Sequence, residues 1–132
     1  MPAKQKASKT INVILWIAQG FLALTLFSAG FMKIFTPEGL PFTWIKDNAN
    51  LVLFTGVIDL LAGIGIILPS ILRVKTELTI FTAYGIAILM IAAIIFHISR
   101  GEAKDIGFNL FMLFIAVFVG WGRSKWAPVT NK

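Results

Sequence analysis

The chain contains no cysteine. That absence excludes disulfides, thiolate metal sites, iron–sulfur clusters and dithiol redox chemistry, and it leaves the redox compartment open. Histidine occurs once. A haem held by two histidines of this chain and a His-rich metal cluster are therefore excluded, and no metal site is expected. Tyrosine also occurs once, against 12 phenylalanines. Charge is scarce, at 14% of residues, where soluble domains carry about 25%. Hydrophobic residues make up 58%, and the mean hydropathy is +0.86. So few charges cannot cover a water-facing surface. No nucleophile–base pair and no phosphate-binding glycine loop is present, so an autonomous enzyme on soluble substrates is the least favoured class.

What the chain does have is long uncharged runs. They cover residues 10–32, 48–72 (interrupted only by Asp59), 78–99 and 106–122. About 20 apolar residues, within a range of about 17–25, cross a hydrocarbon core as a helix. The reading is all-α: an integral membrane, antiparallel bundle of four transmembrane helices forming a single domain over 1–132, with spans at about 11–33, 50–72, 78–99 and 106–122. The links at 73–77 and 100–105 are short, which favours up-down-up-down order. The link at 36–47 holds two prolines, a glycine, Glu38, Lys46 and Asp47. The first ten residues and the last seven read as solvated tails. The first apolar run exceeds the usual h-region of a signal peptide, so it reads as a retained helix.

The net charge is +6. In a lipid-embedded chain such an excess reports topology and anionic headgroups. No Arg-rich or aromatic-interleaved basic patch points to nucleic acid. Four spans place both termini on one side with eight Lys and Arg, against four on the other. The positive-inside rule then puts both termini in the cytoplasm. Trp16, Trp44, Trp121 and Trp126 lie near span ends, as an interfacial belt requires.

Asp59 lies nine residues beyond Asn50, roughly 13–14 Å into the membrane at about 1.5 Å per residue. A carboxyl at that depth costs about 2.5–3.5 kcal/mol on insertion scales, so it should face the interior, be neutral or have a partner. Gly56, Asp59 and Gly63 share one stripe. Asp59 fits either a proton-carrying or ligand-binding group, or a packing carboxyl bonded across helices. Gln19, Leu26, Gly30 and Lys33 form a stripe on the first helix, and Lys33 fits either an inward group or a side chain snorkelling to the interface. His97 shares a stripe with Ala93, Met90 and Ala83; it fits either a proton relay or an interfacial histidine bonded to a carbonyl or to Glu102. Arg100 and Glu102 fit either a solvated loop or a partner pair for the site. Asn109, Met112, Ala116 and Gly120 share a face of the fourth helix. Lys33, Asp59, His97 and Asn109 thus all fall in the outer half, with Gln19 alone near the midplane. The expectation is an outward-opening pocket that ends at Asp59.

AGFMKI (29–34), IDLLAGIGIILP (58–69), HISRGE (97–102) and VGWGR (119–123) stand in order at span ends. Together they resemble the DoxX-like family of small four-helix bacterial membrane proteins, from about Leu15 to Arg123. That family commonly carries Glu where this chain has Asp59, which keeps the carboxyl and shortens its reach by one methylene. The resemblance implies the bacterial cytoplasmic (inner) membrane, multi-pass, and site positions Lys33, Asp59, His97, Arg100 and Glu102. It also implies a membrane subunit of a quinone-linked or stress-related oxidoreductase complex. Quinone would be the non-covalent cofactor, the bilayer and a soluble oxidoreductase the partners. Two other readings stay open: a small-molecule binding or transport module, for which a homodimer could supply the missing helices, and a structural or assembly protein without catalysis.

Overall fold

The structure is a computed structural model that describes residues 2–37 and 48–131, with side chains from Lys9 onward except that of Asp105. Glu38, Trp44, Lys46 and Asp47 lie outside the described residues. The elements are α1 (Pro2–Phe35), α2 (Ala49–Leu72), α3 (Glu77–Ser99) and α4 (Gly107–Trp121), followed by one π-helical turn (Gly122–Trp126). All four helices are long and apolar enough to span a membrane, the fourth by counting its π-turn: Lys9–Phe35, Ala49–Leu72, Glu77–Ser99 and Gly107–Trp126.

Two boundaries differ from the sequence expectation. The first ten residues are not a separate tail, because α1 starts at Pro2. Proline suits a first helical position, and the Ala, Lys and Gln that follow propagate a helix well. The fourth span gains a turn because α4 runs on as a π-turn rather than stopping at Gly122.

The helices form a ring in chain order, with α1 chiefly against α2, α3 chiefly against α4, and α2–α3 and α1–α4 closing it. The contacts run antiparallel: Gly30 meets Gly56 and Leu60, while Gly63 meets Phe27 and Ala23. A Cβ on Gly30 would lie 2.6 Å from the Gly56 carbonyl oxygen. Only glycine lets two backbones approach so closely, the usual device where lipid supplies no hydrophobic drive between helices. Both termini and the α2–α3 turn share one end of the bundle, called here the termini end. The other connections share the far end. In the α2–α3 turn Arg73 (φ 55°) and Lys75 (φ 48°) are left-handed, and the Arg73 N–H closes on the Pro69 carbonyl.

Burial runs along the inner stripe of each helix. On α2 it comprises Val52, Gly56, Asp59, Gly63, Ile66 and Ser70. On α4 it comprises Asn109, Met112, Ala116, Val119 and Gly120. Leu24, Phe81, Ile88 and Phe114, by contrast, are each about 70% exposed (68–73%). Such an apolar outer surface fits a lipid environment and not water.

Candidate functional site

Among the described residues, two polar clusters lie on the inner stripes of the bundle, one toward each end. In the first, Lys33 lies in the last turn of α1 and Asp59 is the eleventh residue of α2. A helical side chain leans toward its own N-terminus. The Lys33 stem therefore runs back from the far end toward the membrane interior. Gly56 makes room for it, since a Cβ there would sit 2.9 Å from the Lys33 Cβ. Lys33 Nζ reaches Asp59 Oδ2 at 2.8 Å and donates to Thr55 Oγ1 at 3.3 Å. The Thr55 hydroxyl in turn donates to the Leu51 carbonyl at 2.9 Å. The side chains of Lys33 and Asp59 are 14% and 5% exposed, so the lysine is the more open flank. The lysine thus turns inward rather than snorkelling, and aspartate is long enough to meet it.

His97 and its neighbours form a group at the far end of α3. His97 Nδ1 lies 2.9 Å from Glu102 Oε1, and Arg100 Nε donates to the same oxygen at 3.4 Å. The chain is folded back by Gly101 (φ 75°), and the Glu102 N–H donates to the His97 carbonyl at 2.8 Å. The Arg100 guanidinium lies over the Phe96 ring, 5.3 Å from its centroid. Asn109 is buried on the inner stripe of α4.

The second cluster lies toward the termini end, where the sequence reading placed no buried polarity below Gln19. Gln19, Ser70, Thr79 and Arg123 are all 2% exposed or less. Gln19 does not join the Lys33 group despite sharing its stripe. Its Nε2 donates to the Ile66 carbonyl at 2.7 Å and to Ser70 Oγ at 3.2 Å; Ser70 and Thr79 share a hydrogen bond of 2.8 Å. Arg123 Nε donates to Gln19 Oε1 at 2.6 Å. Its Nη1 donates to Asn12 Oδ1 at 2.6 Å and to the Ala127 carbonyl at 2.8 Å. The guanidinium also lies 5.1 Å from the centroid of the Trp16 ring. In the sequence Arg123 enters only as one of the eight Lys and Arg on the termini side and as the end of VGWGR (119–123). The available signal was its place directly after Gly-Trp-Gly: Gly122 packs so tightly on Leu15 that a Cβ would fall 2.6 Å from Leu15 Cδ2. That contact draws the arginine against α1.

Residues 126–131 are likewise not a free tail. Ala127 is buried, Arg73 donates to the Thr130 carbonyl at 3.0 Å, and the Thr76 N–H donates to Asn131 Oδ1 at 3.0 Å.

A family model, that of the DoxX-like family, matches residues 17–119. The chain belongs to the DoxX-like family. No curated protein and no solved structure matches it. Gln19, Lys33, Asp59, His97, Arg100, Glu102 and Asn109 fall inside the matched stretch, while Asn12 and Arg123 fall outside it. This DoxX-like protein is thus a multi-pass membrane chain with one ion pair deep in α1–α2 and one arginine-centred network nearer the termini.

Proposed function

We propose that this protein is a membrane subunit of a quinone-linked oxidoreductase complex in the bacterial cytoplasmic membrane. In this reading both termini face the cytoplasm and the Lys33–Asp59 pair is the polar contact for the quinone headgroup. One observation carries it: the 2.8 Å ion pair between Lys33 and Asp59 within two membrane-spanning helices. A buried ion pair is rarely the most stable filling for its space, and apolar replacements of similar volume are often neutral or better. Ionisable residues within spans are functional by default. The residues also fit the group: Lys33 Nζ can donate to a carbonyl oxygen, Asp59 can accept from a hydroxyl, and Thr55 adds a hydroxyl beside them. A bound quinone would supply the carrier that takes two electrons and two protons to become the quinol. The chain has no redox group of its own, so the electrons come from a soluble oxidoreductase partner. Lys33 and Asp59 hold and pass protons between the headgroup position and water at the far end.

The full-length protein in lipid nanodiscs tests this with decylubiquinone as the probe. The wild type should bind it, Lys33→Met should lose binding at least tenfold, and the partner should copurify from native membranes. A folded wild type that binds no quinone overturns the reading. A second reading has its own support: Gly30 and Gly56 interlock directly beside the pair, as in a clasp that only fixes helix packing. In that case Lys33→Met lowers thermal stability and leaves quinone binding unchanged.

A further inference from the structure

The termini end holds a cation whose hydrogen bonding is incomplete. A guanidinium has five N–H groups. Nε and Nη1 of Arg123 are spent on Gln19, Asn12 and the Ala127 carbonyl. Nη2 is enclosed and has no hydrogen-bond partner. All three acceptors are neutral, and among the described residues Arg123 makes no ion pair. A buried charge normally has a counter-charge, and an orphaned buried donor costs as much as a lost hydrogen bond or more.

Arg123 also lines a cavity of about 180 Å³. Its other polar walls are the hydroxyl residues Ser70, Thr76 and Ser124 and the carboxylate of Glu77. Arg123 and Glu77 form no ion pair with each other, so the cavity is lined by a cation and an anion that do not neutralise one another, together with hydroxyl residues. A simple anion satisfies the arginine and is repelled by Glu77. A simple cation has the opposite fault. A molecule carrying both charges satisfies both.

The fourth wall is the chain's own end, through Pro128 and Val129. This segment is pinned by exposed hydrogen bonds from Arg73 to the Thr130 carbonyl and hydroxyl and from the Thr76 N–H to Asn131. Such solvent-exposed bonds open readily. The cavity lies at the level of Trp126 and the α2–α3 turn, where a span ends and headgroups begin.

We infer that this cavity is a binding site for the phosphoethanolamine headgroup of a membrane lipid. The phosphate meets Arg123 Nη2 and the hydroxyls, the ammonium meets Glu77, and residues 127–131 act as a strap that shifts to admit the headgroup. The inference is independent of the quinone reading, since it uses the opposite end of the bundle and none of the same side chains.

The test is native mass spectrometry of the full chain, released from detergent after exchange with equal amounts of phosphatidylethanolamine and phosphatidylglycerol. The wild type should retain phosphatidylethanolamine at least fivefold over phosphatidylglycerol. Glu77→Gln, an exposed position outside the Arg123 network, should fold normally and lose that preference. Arg123→Gln should retain neither lipid. If Arg123→Gln fails to fold, the Glu77→Gln comparison decides alone. Equal retention of the two lipids by the wild type, or an unchanged preference in Glu77→Gln, overturns the inference. A parallel sample receives free O-phosphoethanolamine, and its retention where phosphatidylethanolamine is not retained overturns the bilayer as the source.

Discussion

Toward the far end a lysine meets a carboxylate. Toward the termini end an arginine meets two side-chain amides and a backbone carbonyl. Both cations lie between α1 and another element of the bundle, and both lie near a glycine in tight contact with a neighbouring helix. They differ in how the charge is answered. Lys33 and Asp59 answer each other as opposite charges at 2.8 Å. Arg123 has its charge spread over neutral dipoles and keeps one nitrogen unbonded. A buried ion pair resists losing one member, because the survivor keeps its charge in a poor solvent for charge. An open network tolerates loss of its cation better, since only neutral acceptors are orphaned.

The sharpest way to break this comparison is to remove one carboxylate. Asp59→Ala should destabilise by about 3–5 kcal/mol. The double replacement Lys33→Met with Asp59→Leu should recover most of that loss, because no charge is left behind. Reversible unfolding in mixed micelles, run as a double-mutant cycle, gives the coupling energy. A double variant as unstable as Asp59→Ala would mean the two charges do not offset each other. Next in size is Arg123→Met, which leaves Gln19 Oε1, Asn12 Oδ1 and the Ala127 carbonyl without their donor. We expect a loss of about 1–3 kcal/mol, smaller than for Asp59. The same variant should speed amide hydrogen exchange at Ala127, whose N–H donates to the Gly122 carbonyl, since its own carbonyl loses its anchor. A loss equal to that of Asp59→Ala would remove the distinction between the two ends.

How much of this was legible beforehand differs between the ends for a physical reason. Spans are set by runs without charge, and inner stripes by helical spacing, so Gly56, Asp59 and Gly63 on α2 and Asn109, Met112, Ala116 and Gly120 on α4 could be read as one buried face each. Asp59 stood out because a lone carboxylate in an apolar run has few innocent explanations. Arg123 did not, because an arginine one residue past a span is ordinarily a solvated topology charge. What buries it is tertiary: the Gly122–Leu15 contact and the π-turn, neither of which leaves a mark in hydropathy. Gln19 shows the converse failure. It shares a face with Lys33, but it stands 14 positions earlier on α1, about 21 Å along the axis at 1.5 Å per residue. A shared stripe fixes direction, whereas membership of one site also needs shared depth.

The glycines sharpen the comparison at a smaller scale. A Cβ at Gly30 and one at Gly122 would both come within 2.6 Å of a neighbour. The neighbour differs. At Gly30 it is the Gly56 carbonyl oxygen, with the Leu60 nitrogen at 2.8 Å, both fixed backbone. At Gly122 it is Leu15 Cδ2, the far end of a side chain that can change rotamer. Gly30→Ala should therefore force α1 and α2 apart and cost about 1–3 kcal/mol. It should also loosen the Lys33–Asp59 pair one turn away. Gly122→Ala should cost less than about 1 kcal/mol, with repacking confined to Leu15. Equal losses at the two glycines would show that backbone and side-chain obstacles are equivalent here. The smallest effect belongs to Gly85, where a Cβ meets nothing within 4 Å. Gly85→Ala removes unfolded-state freedom without touching either cluster, so it should stabilise by about 0.5–1 kcal/mol. A loss at Gly85 in the same assay would mean that α3 is packed against something beyond the chain itself, and the Gly30 and Gly122 values would then need the same correction.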